Sequence, residues 1–172
     1  MRSNLHQLTF FRKLWLVLPL TALTLVLDLG AKRWALTSLS LLEVRPITGF
    51  FNLVLVENQG AAFSLLSGEG AHQGLKMALL ATVALVPLIF FFVDAKRKST
   101  LIALGLVLGG ALGNIHDRLK YNAVVDFLDF HFQERHWPAF NLADVAIVIG
   151  VAILLIVTLT EGRSPKKPKR KS

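Results

Sequence analysis

Residues 109–144 read GGALGNIHDRLKYNAVVDFLDFHFQERHWPAFNLAD and join two apolar segments, 101–113 and 142–159. Two aspartates lie in this stretch in apolar surroundings, Asp126 in Val-Val-Asp-Phe and Asp144 in Asn-Leu-Ala-Asp. Carboxylates are costly next to hydrocarbon, and where they occur there they usually serve a function. We therefore expect the rest of the chain to hold these two residues at a membrane surface.

The composition of the whole chain indicates a membrane protein. The 172 residues are 53% hydrophobic and 17% charged, with a mean hydropathy of +0.56. A soluble domain has roughly 45–50% apolar and about 25% charged residues. The apolar residues here are grouped in blocks of about 20, which is long enough to cross about 30 Å of hydrocarbon. The predicted fold class is an all-α polytopic membrane protein with four transmembrane helices.

We expect the whole chain, residues 1–172, to form a single membrane domain. The predicted spans are at about 14–34, 75–93, 100–116 and 141–160. The segments 35–74 and 117–140 then lie together on the outer surface, and residues 161–172 form a basic cytoplasmic tail.

The first outer segment has the composition of a small β-structure. Residues 50–56, FFNLVLV, are aromatic and β-branched without a turn residue, which predicts a short strand. Asn58-Gln59-Gly60 is a turn signal, and 61–66 resumes as a second extended piece. We expect a hairpin or curved sheet on the membrane surface.

The distribution of positive charge predicts the orientation. The net charge is +8, and twelve of the nineteen Lys and Arg residues lie in the N-terminal lead, the loop at 96–98 and the tail. The positive-inside rule puts these three regions, and so both termini, in the cytoplasm. This pattern favours anionic lipid headgroups over nucleic acid as the partner of the tail. The chain has no cysteine, which excludes disulfides and thiol nucleophiles.

The two aspartates could form a catalytic pair. Apolar neighbours raise the pKa of Asp126, and a helix N-terminus favours the negative charge of Asp144. Two carboxylates in contact cannot both ionise easily, so one keeps a proton while the other acts as a base. Spacing alone does not bring them together, and Asp129 is a possible substitute for Asp126. In an extended segment Asp126 and Asp129 would point to opposite faces.

Other catalytic arrangements are poorly supported. The five histidines include no H-E-x-x-H motif, and the polar segment around His131 and His136 is typical of a solvated loop. Ser64 lacks a G-x-S-x-G context. Lys32 could act as a base beside a serine, but Asp28, four residues earlier on the same helix face, is a simpler partner.

Five sequence blocks resemble one known family. They are LDLGAK around Asp28 and Lys32, NQGAAFS at 58–64, GGALGNIHDR at 109–118, VVDF at 124–127 and FNLAD at 140–144. In this order, with four spans, they are similar to the lipoprotein signal peptidases. These prolipoprotein (type II) signal peptidases are bacterial membrane aspartyl proteases. The resemblance covers nearly the whole chain.

The resemblance implies a site and a substrate. Asp126 and Asp144 would be the catalytic residues, with Asn58, Arg118 and Asn141 lining a substrate site and Asp28, Lys32, Gly60 and Asn114 supporting it. No metal or organic cofactor is implied. The implied substrate is a prolipoprotein whose lipobox cysteine carries diacylglycerol, cleaved on the N-terminal side of that cysteine. The implied fold adds a small extracytoplasmic β-cradle to four helices, in the bacterial inner membrane, and we expect a monomer.

Two other functions use the same residues. A small proton-coupled transporter would use the carboxylates as a relay, although the sequence shows no inverted repeat. A non-enzymatic assembly subunit would pair its aspartates with basic residues of a partner.

Overall fold

The computed structural model describes residues 10–60 and 72–161. The helices are α1 (Phe10–Ser38), α2 (Gln73–Ala84), α3 (Val86–Val93), α4 (Lys98–Tyr121) and α5 (Leu142–Glu161). The strands are β1 (Val44–Thr48), β2 (Phe51–Asn58), β3 (Val124–Phe132) and β4 (Arg135–His136). The predicted extended piece at 61–66 and the basic tail beyond residue 161 lie outside the described residues.

Four helical segments in the described part of the chain are long and apolar enough to cross a membrane. They are α1, α2 together with α3, α4, and α5. Leu85 separates α2 from α3, and Pro87 lies at the start of α3, where its missing N–H costs least. The predicted class, a mostly helical membrane protein with four transmembrane helices and a small sheet, is confirmed.

Two of the helices extend beyond the spans expected from the sequence. α1 runs past the expected 14–34 in both directions and reaches Ser38. α4 continues to Tyr121, so Asp117 and Arg118 lie in its last two turns instead of in the following segment. The extension of α4 adds two charged residues, Asp117 and Arg118, to that helix.

α4 is the central helix and packs against both α1 and α5. Glycines allow the backbones to come close. A Cβ on Gly109 would lie 2.6 Å from the Cβ of Thr24 in α1, and one on Gly110 would lie 2.5 Å from the carbonyl oxygen of Ala143 in α5. Close packing of small residues is a common way for membrane helices to associate. It brings the end of α4 against the start of α5.

The four strands form one antiparallel sheet in the order β1-β2-β3-β4. The strand predicted at 50–56 is confirmed as β2, which pairs with β1 on one side and β3 on the other. β3, which contains both Asp126 and Asp129, was not predicted as a strand. Asp126 lies opposite Val56 of β2, and Asp129 lies opposite Asn52.

A small apolar core fixes the sheet over the end of α1. Ala35 and Leu39 of α1 pack with Leu55 of β2 and with Val125 and Phe127 of β3. Because side chains alternate along a strand, Asp126 points to the face opposite Val125 and Phe127.

The segment between β4 and α5 folds back along β3. The amide of Trp137 donates to the carbonyl oxygen of Phe130 at 2.8 Å, and that of Phe140 donates to the carbonyl oxygen of Leu128 at 3.0 Å. The amide of Leu128 donates in return to the carbonyl oxygen of Phe140 at 2.9 Å. The start of α5 is therefore held directly beside Asp126.

Candidate active site

Asn141 joins the two aspartates that the sequence singled out. Its Nδ2 donates to Asp126 Oδ1 at 2.7 Å, and its backbone amide donates to Asp144 Oδ2 at 3.2 Å. Its Oδ1 accepts from the backbone amide of Asp144 at 3.0 Å, which is a reciprocal cap of α5. The structure thus brings together Asp126 and Asp144, the aspartate dyad, through one fully buried asparagine.

Asp126 lies in a dry position on β3. Its side chain is 2% exposed, and Asn58 Nδ2 donates to its Oδ2 at 3.0 Å. Burial is the main cause that raises the pKa of Asp126, to about 7. The hydrogen bonds from Asn58 and Asn141 oppose this rise, whereas the nearby charge of Asp144 adds to it.

Asp144 has a different environment. It is only partly buried and lies in the first turn of α5, where the unpaired amides of a helix start favour a negative charge. Its Oδ1 accepts a hydrogen bond from Asn114 Nδ2 at 2.8 Å. Asp144 therefore has a hydrogen-bond donor on each of its carboxylate oxygens.

A turn after β2 orients Asn58 toward the dyad. Asn58 Oδ1 accepts from the amide of Gly60 at 2.9 Å, so its Nδ2 is left to face Asp126. Gly60 has a φ of +90°, a conformation that side chains disfavour, which is the physical reason for glycine at this place.

Hydrogen bonds to its side-chain oxygen also orient Asn114 toward the dyad. Its Oδ1 accepts from Lys32 Nζ at 2.9 Å and from Asn141 Nδ2 at 3.2 Å, so its own Nδ2 faces Asp144. Three amide side chains therefore present N–H donors to the dyad, and each of their oxygens is already occupied by another donor.

A buried ion network, Lys32 with Asp28 and Asp117, lies beneath the dyad. Lys32 Nζ is 2.7 Å from Asp28 Oδ2 and 2.9 Å from Asp117 Oδ2, and these three side chains are at most 2% exposed. With Asn114, the ammonium group has three oxygen partners for its three protons. A Cβ on Gly113 would collide with the Asp28 carboxylate, so this glycine makes room for the network.

The ion network also fixes the elements that carry the dyad. Asp28 Oδ1 accepts from the amide of Ala143 at 2.9 Å, which holds the start of α5. Asp117 Oδ2 accepts from the amide of Val125 at 3.2 Å, which holds β3. Sequence reasoning proposed the pair of Asp28 and Lys32 but missed Asp117. Asp117 is three residues after Asn114, and this spacing on one helix could have indicated that the two side chains share a face.

Arg118 lies at the end of α4 beside the dyad. It is partly buried, and its Nη1 donates to the carbonyl oxygen of Asn114 at 3.1 Å. Asp144 and Asp126 are close enough to act on its charge. The guanidinium therefore places a positive charge next to two carboxylates.

Asp129 is not part of this arrangement. Its partners are Asn52 and His136, on the other face of β3 from Asp126. Within residues 10–60 and 72–161, no group of three or more His, Cys, Asp or Glu side chains is placed to hold a metal ion. The geometry suits an acid and a base acting together on a water molecule.

Comparisons with known proteins place the sequence beside one family. The sequence profile of the family described as Signal peptidase (SPase) II matches residues 20–160. A "Lipoprotein signal peptidase" of Ralstonia nicotianae is 46% identical over 147 residues, 85% of each chain. One of Alteromonas mediterranea is 39% identical over 161 residues, 92% of this chain and 86% of the relative.

A solved structure has the same fold. It is described as a bacterial membrane enzyme determined by the in meso method at 1.9 Å resolution. It is 26% identical to this chain, with a TM-score of 0.74, and the match covers 92% of this chain and 97% of the other.

Proposed function

Since this chain belongs to the signal peptidase II family of lipoprotein-processing proteases, we propose that it cleaves prolipoproteins as an aspartic endopeptidase. The aspartate dyad would activate the attacking water. The observation that carries the proposal is the position of Asn141, which donates hydrogen bonds to both Asp126 and Asp144.

The proposed substrate is a prolipoprotein with diacylglycerol on its lipobox cysteine. The relatives are named as lipoprotein signal peptidases, which supports the substrate class. The family resemblance supports cleavage on the N-terminal side of the lipidated cysteine. The products are then a signal peptide and a lipoprotein whose first residue is that cysteine.

We assign the acid role to Asp126 and the base role to Asp144. Burial raises the pKa of Asp126 to about 7, so Asp126 can hold a proton near neutral pH. Asp144 is less buried and accepts two hydrogen bonds at the start of α5, which leaves it as the base of the pair. One proton shared by the pair gives the acid and the base at the same time.

In the first step, Asp144 takes a proton from the water as the water oxygen bonds to the scissile carbonyl carbon. Asp126 gives its proton to the carbonyl oxygen in the same step, so no free oxyanion is formed. The result is a tetrahedral diol, an ionised Asp126 and a protonated Asp144.

In the second step, the bond between carbon and nitrogen breaks. Asp144 transfers its proton to the leaving nitrogen, which becomes the free amino group of the cysteine. Asp126 takes a proton from one hydroxyl of the diol, which becomes the new carboxyl group of the signal peptide. Both aspartates return to their starting states.

The neighbouring polar residues support different parts of this reaction. Arg118 suits substrate carbonyl groups because its guanidinium is a rigid fork of donors beside the dyad. Asn58 donates a hydrogen bond to the Asp126 carboxylate, so it can also contact the carbonyl group that Asp126 protonates. Asn141 is fully buried, which supports an orienting role, and its contact with substrate stays a prediction.

We also propose that the dyad is at the outer face of a bacterial inner membrane, with both termini in the cytoplasm. Arg12 and Lys13 at the start of α1, and the basic loop at 96–98 before α4, lie at the end of the bundle remote from the dyad. The positive-inside rule supports a cytoplasmic position for that end.

The test is cleavage of a purified lipidated prolipoprotein by the wild type and by Asp126→Asn and Asp144→Asn. Each substitution keeps the shape of the side chain but removes an acid or base, so we expect kcat to fall by about 10²- to 10⁴-fold. Asp94→Asn is the matched control because Asp94 is exposed at the other end of the bundle. Near wild-type cleavage by either dyad variant would refute the mechanism.

A second arm tests the substrate. An unlipidated version of the same prolipoprotein should be cleaved much more slowly, since the proposed substrate arrives from the bilayer with its acyl chains. Family membership favours the protease over a proton-coupled transporter, which instead predicts solute-dependent proton flux in proteoliposomes.

A further inference from the structure

Asp129 is a buried carboxylate that belongs neither to the aspartate dyad nor to the ion network. Its side chain is 8% exposed and lies on the face of β3 opposite Asp126. Asn52 Nδ2 donates to its Oδ2 at 2.8 Å, and His136 Nδ1 lies 2.9 Å from each of its two oxygens. This carboxylate therefore joins β2, β3 and β4.

His136 belongs to an element that is too short to be stable alone. β4 has two residues, and its pairing with β3 consists of His131 opposite His136 and Phe132 opposite Arg135. The rings of His131 and His136 also stack, with centroids 5.0 Å apart. The contact between the half-exposed His136 ring and the buried Asp129 carboxylate is the polar side-chain contact that anchors this strand.

Four residues, 137–140, connect His136 to Asn141, and the first and last of them are held against β3. Trp137 and Phe140 make backbone hydrogen bonds to Phe130 and Leu128. The ring of Phe140 also stacks on that of Phe130, with centroids 5.8 Å apart. Asn141 follows Phe140 directly, so the path of this segment sets where Asn141 enters the site.

We propose that Asp129 and His136 form a positioning pair that holds the segment before α5 on β3, and so holds Asn141 between the two carboxylates of the dyad. The pair acts through Asn141 and contacts neither the substrate nor the reacting atoms. This inference rests on the proposed function of the dyad.

The chemistry of the pair suits a permanent contact. Although burial opposes the ionised form of Asp129, hydrogen bonds from Asn52 and His136 outweigh it and lower the pKa of this carboxyl. Ionised Asp129 can only accept, so Nδ1 of His136 carries the shared proton. An imidazole can donate from Nδ1 whether it is neutral or charged. The contact therefore survives a change in the charge of His136.

The test is steady-state cleavage of a lipidated prolipoprotein by His136→Ala and Asp129→Ala. Small displacements of a positioned group cost rate, so we expect kcat to fall about tenfold with KM within about twofold. The two effects should not add in the double variant, because either substitution breaks the same contact.

The pH dependence of kcat separates positioning from a loss of folded protein. Asn141 donates to the Asp126 carboxylate, and this hydrogen bond stabilises the charged form. If Asn141 moves away, the pKa of Asp126 rises, and the alkaline limb of the kcat profile shifts to higher pH. A smaller folded fraction lowers the amplitude of the profile without moving its limbs.

Two further variants serve as controls. His136→Asn keeps a side-chain N–H donor near the position of Nδ1 and should retain most of the wild-type kcat. His131→Ala removes the ring that stacks on His136 but leaves the contact between His136 and Asp129, so its alkaline limb should stay in place.

The outcomes distinguish this inference from the proposed function. If Asp126→Asn and Asp144→Asn are inactive while His136→Ala has the wild-type kcat and pH profile, the positioning role is wrong and the dyad stands. An unmoved alkaline limb in a folded His136→Ala variant with reduced kcat would also overturn the positioning role. If the dyad variants cleave normally, the proposed function itself fails.

Discussion

Asp126 and Asp129 lie three residues apart on the same strand, are both buried, and nevertheless have opposite electrostatic behaviour. The pKa of Asp126 is raised to about 7, mainly by burial, whereas that of Asp129 is lowered. Each carboxylate accepts a hydrogen bond from an asparagine of β2, Asn58 in one case and Asn52 in the other. Burial opposes ionisation of both carboxyls, but it dominates at Asp126, whereas the hydrogen bonds outweigh it at Asp129.

The two carboxyls also differ in their remaining charged neighbour. Asp126 has a second carboxylate nearby, Asp144, whose negative charge opposes ionisation. Asp129 has an imidazole at 2.9 Å, which favours ionisation. The same residue type can thus hold a proton on one face of a strand and a permanent charge on the other.

The largest expected effect concerns what supports each aspartate. The buried ion network holds β3, the strand that carries Asp126. Lys32→Met would leave Asp28 and Asp117 buried without their cation. We expect the free energy of unfolding to fall by about 3–5 kcal/mol, measured by denaturant titration in detergent micelles.

The matched control is Arg45→Met. Arg45 pairs with Glu43 in an exposed position, where water screens the interaction, so stability should be unchanged within error. Equal losses in the Lys32 and Arg45 variants would contradict the difference between buried and exposed support.

The next expected effect is that the contributions of Asp126 and Asp129 to stability depend on pH in opposite directions. The folded-state pKa of Asp126 is raised, so its stabilising contribution is complete below about pH 4 and is lost as the pH rises to about 7. Each unit of pKa shift corresponds to about 1.4 kcal/mol. The Tm of Asp126→Asn relative to wild type should therefore increase over this range.

Asp129 should show the reverse. Its folded-state pKa is lowered, so its contribution is present above pH 3.8 and is lost as the pH falls through the folded pKa. Asp129→Asn should thus be most destabilising above this value and should approach the wild type in acid. Parallel curves of Tm against pH for the two variants would show that the aspartates do not differ.

The smallest effect compares the two asparagines of β2. Asn58→Ala removes a hydrogen bond that favours ionised Asp126, so the pKa of Asp126 should rise and the alkaline limb of kcat should move up by about one pH unit. Asn52→Ala removes the equivalent bond on Asp129 and should leave that limb in place. A limb that moves equally in both variants would mean that it does not report on Asp126.

The sequence predicted the parts of the fold that depend on local patterns. Apolar blocks of membrane-spanning length gave the four helices, and the β-branched run at 50–56 gave β2. β3 was not predicted, because its pairing with β2 joins residues about 70 positions apart and its apolar run also suits a membrane-adjacent loop. Long-range pairing is not visible in a local window.

The candidate site was predictable mainly through the family resemblance. Spacing alone did not bring Asp126 and Asp144 together, since their link through Asn141 depends on how the segment before α5 folds back on β3. Asp117 was missed because its partner, Lys32, is on another helix. His136 was taken for a solvated residue because its contact with Asp129 depends on the register of β4.

The ion network has a consequence for how the protein is made. Asp28 and Lys32 are four residues apart and can enter the membrane as a neutral pair when α1 leaves the ribosome. Their other partners come much later: Asn114 is 82 residues beyond Lys32, and Ala143 is 115 residues beyond Asp28. Asp144 arrives only with the last helix. A chain whose synthesis stops before α5 lacks Asp144, so under the proposed mechanism it would have no proteolytic activity.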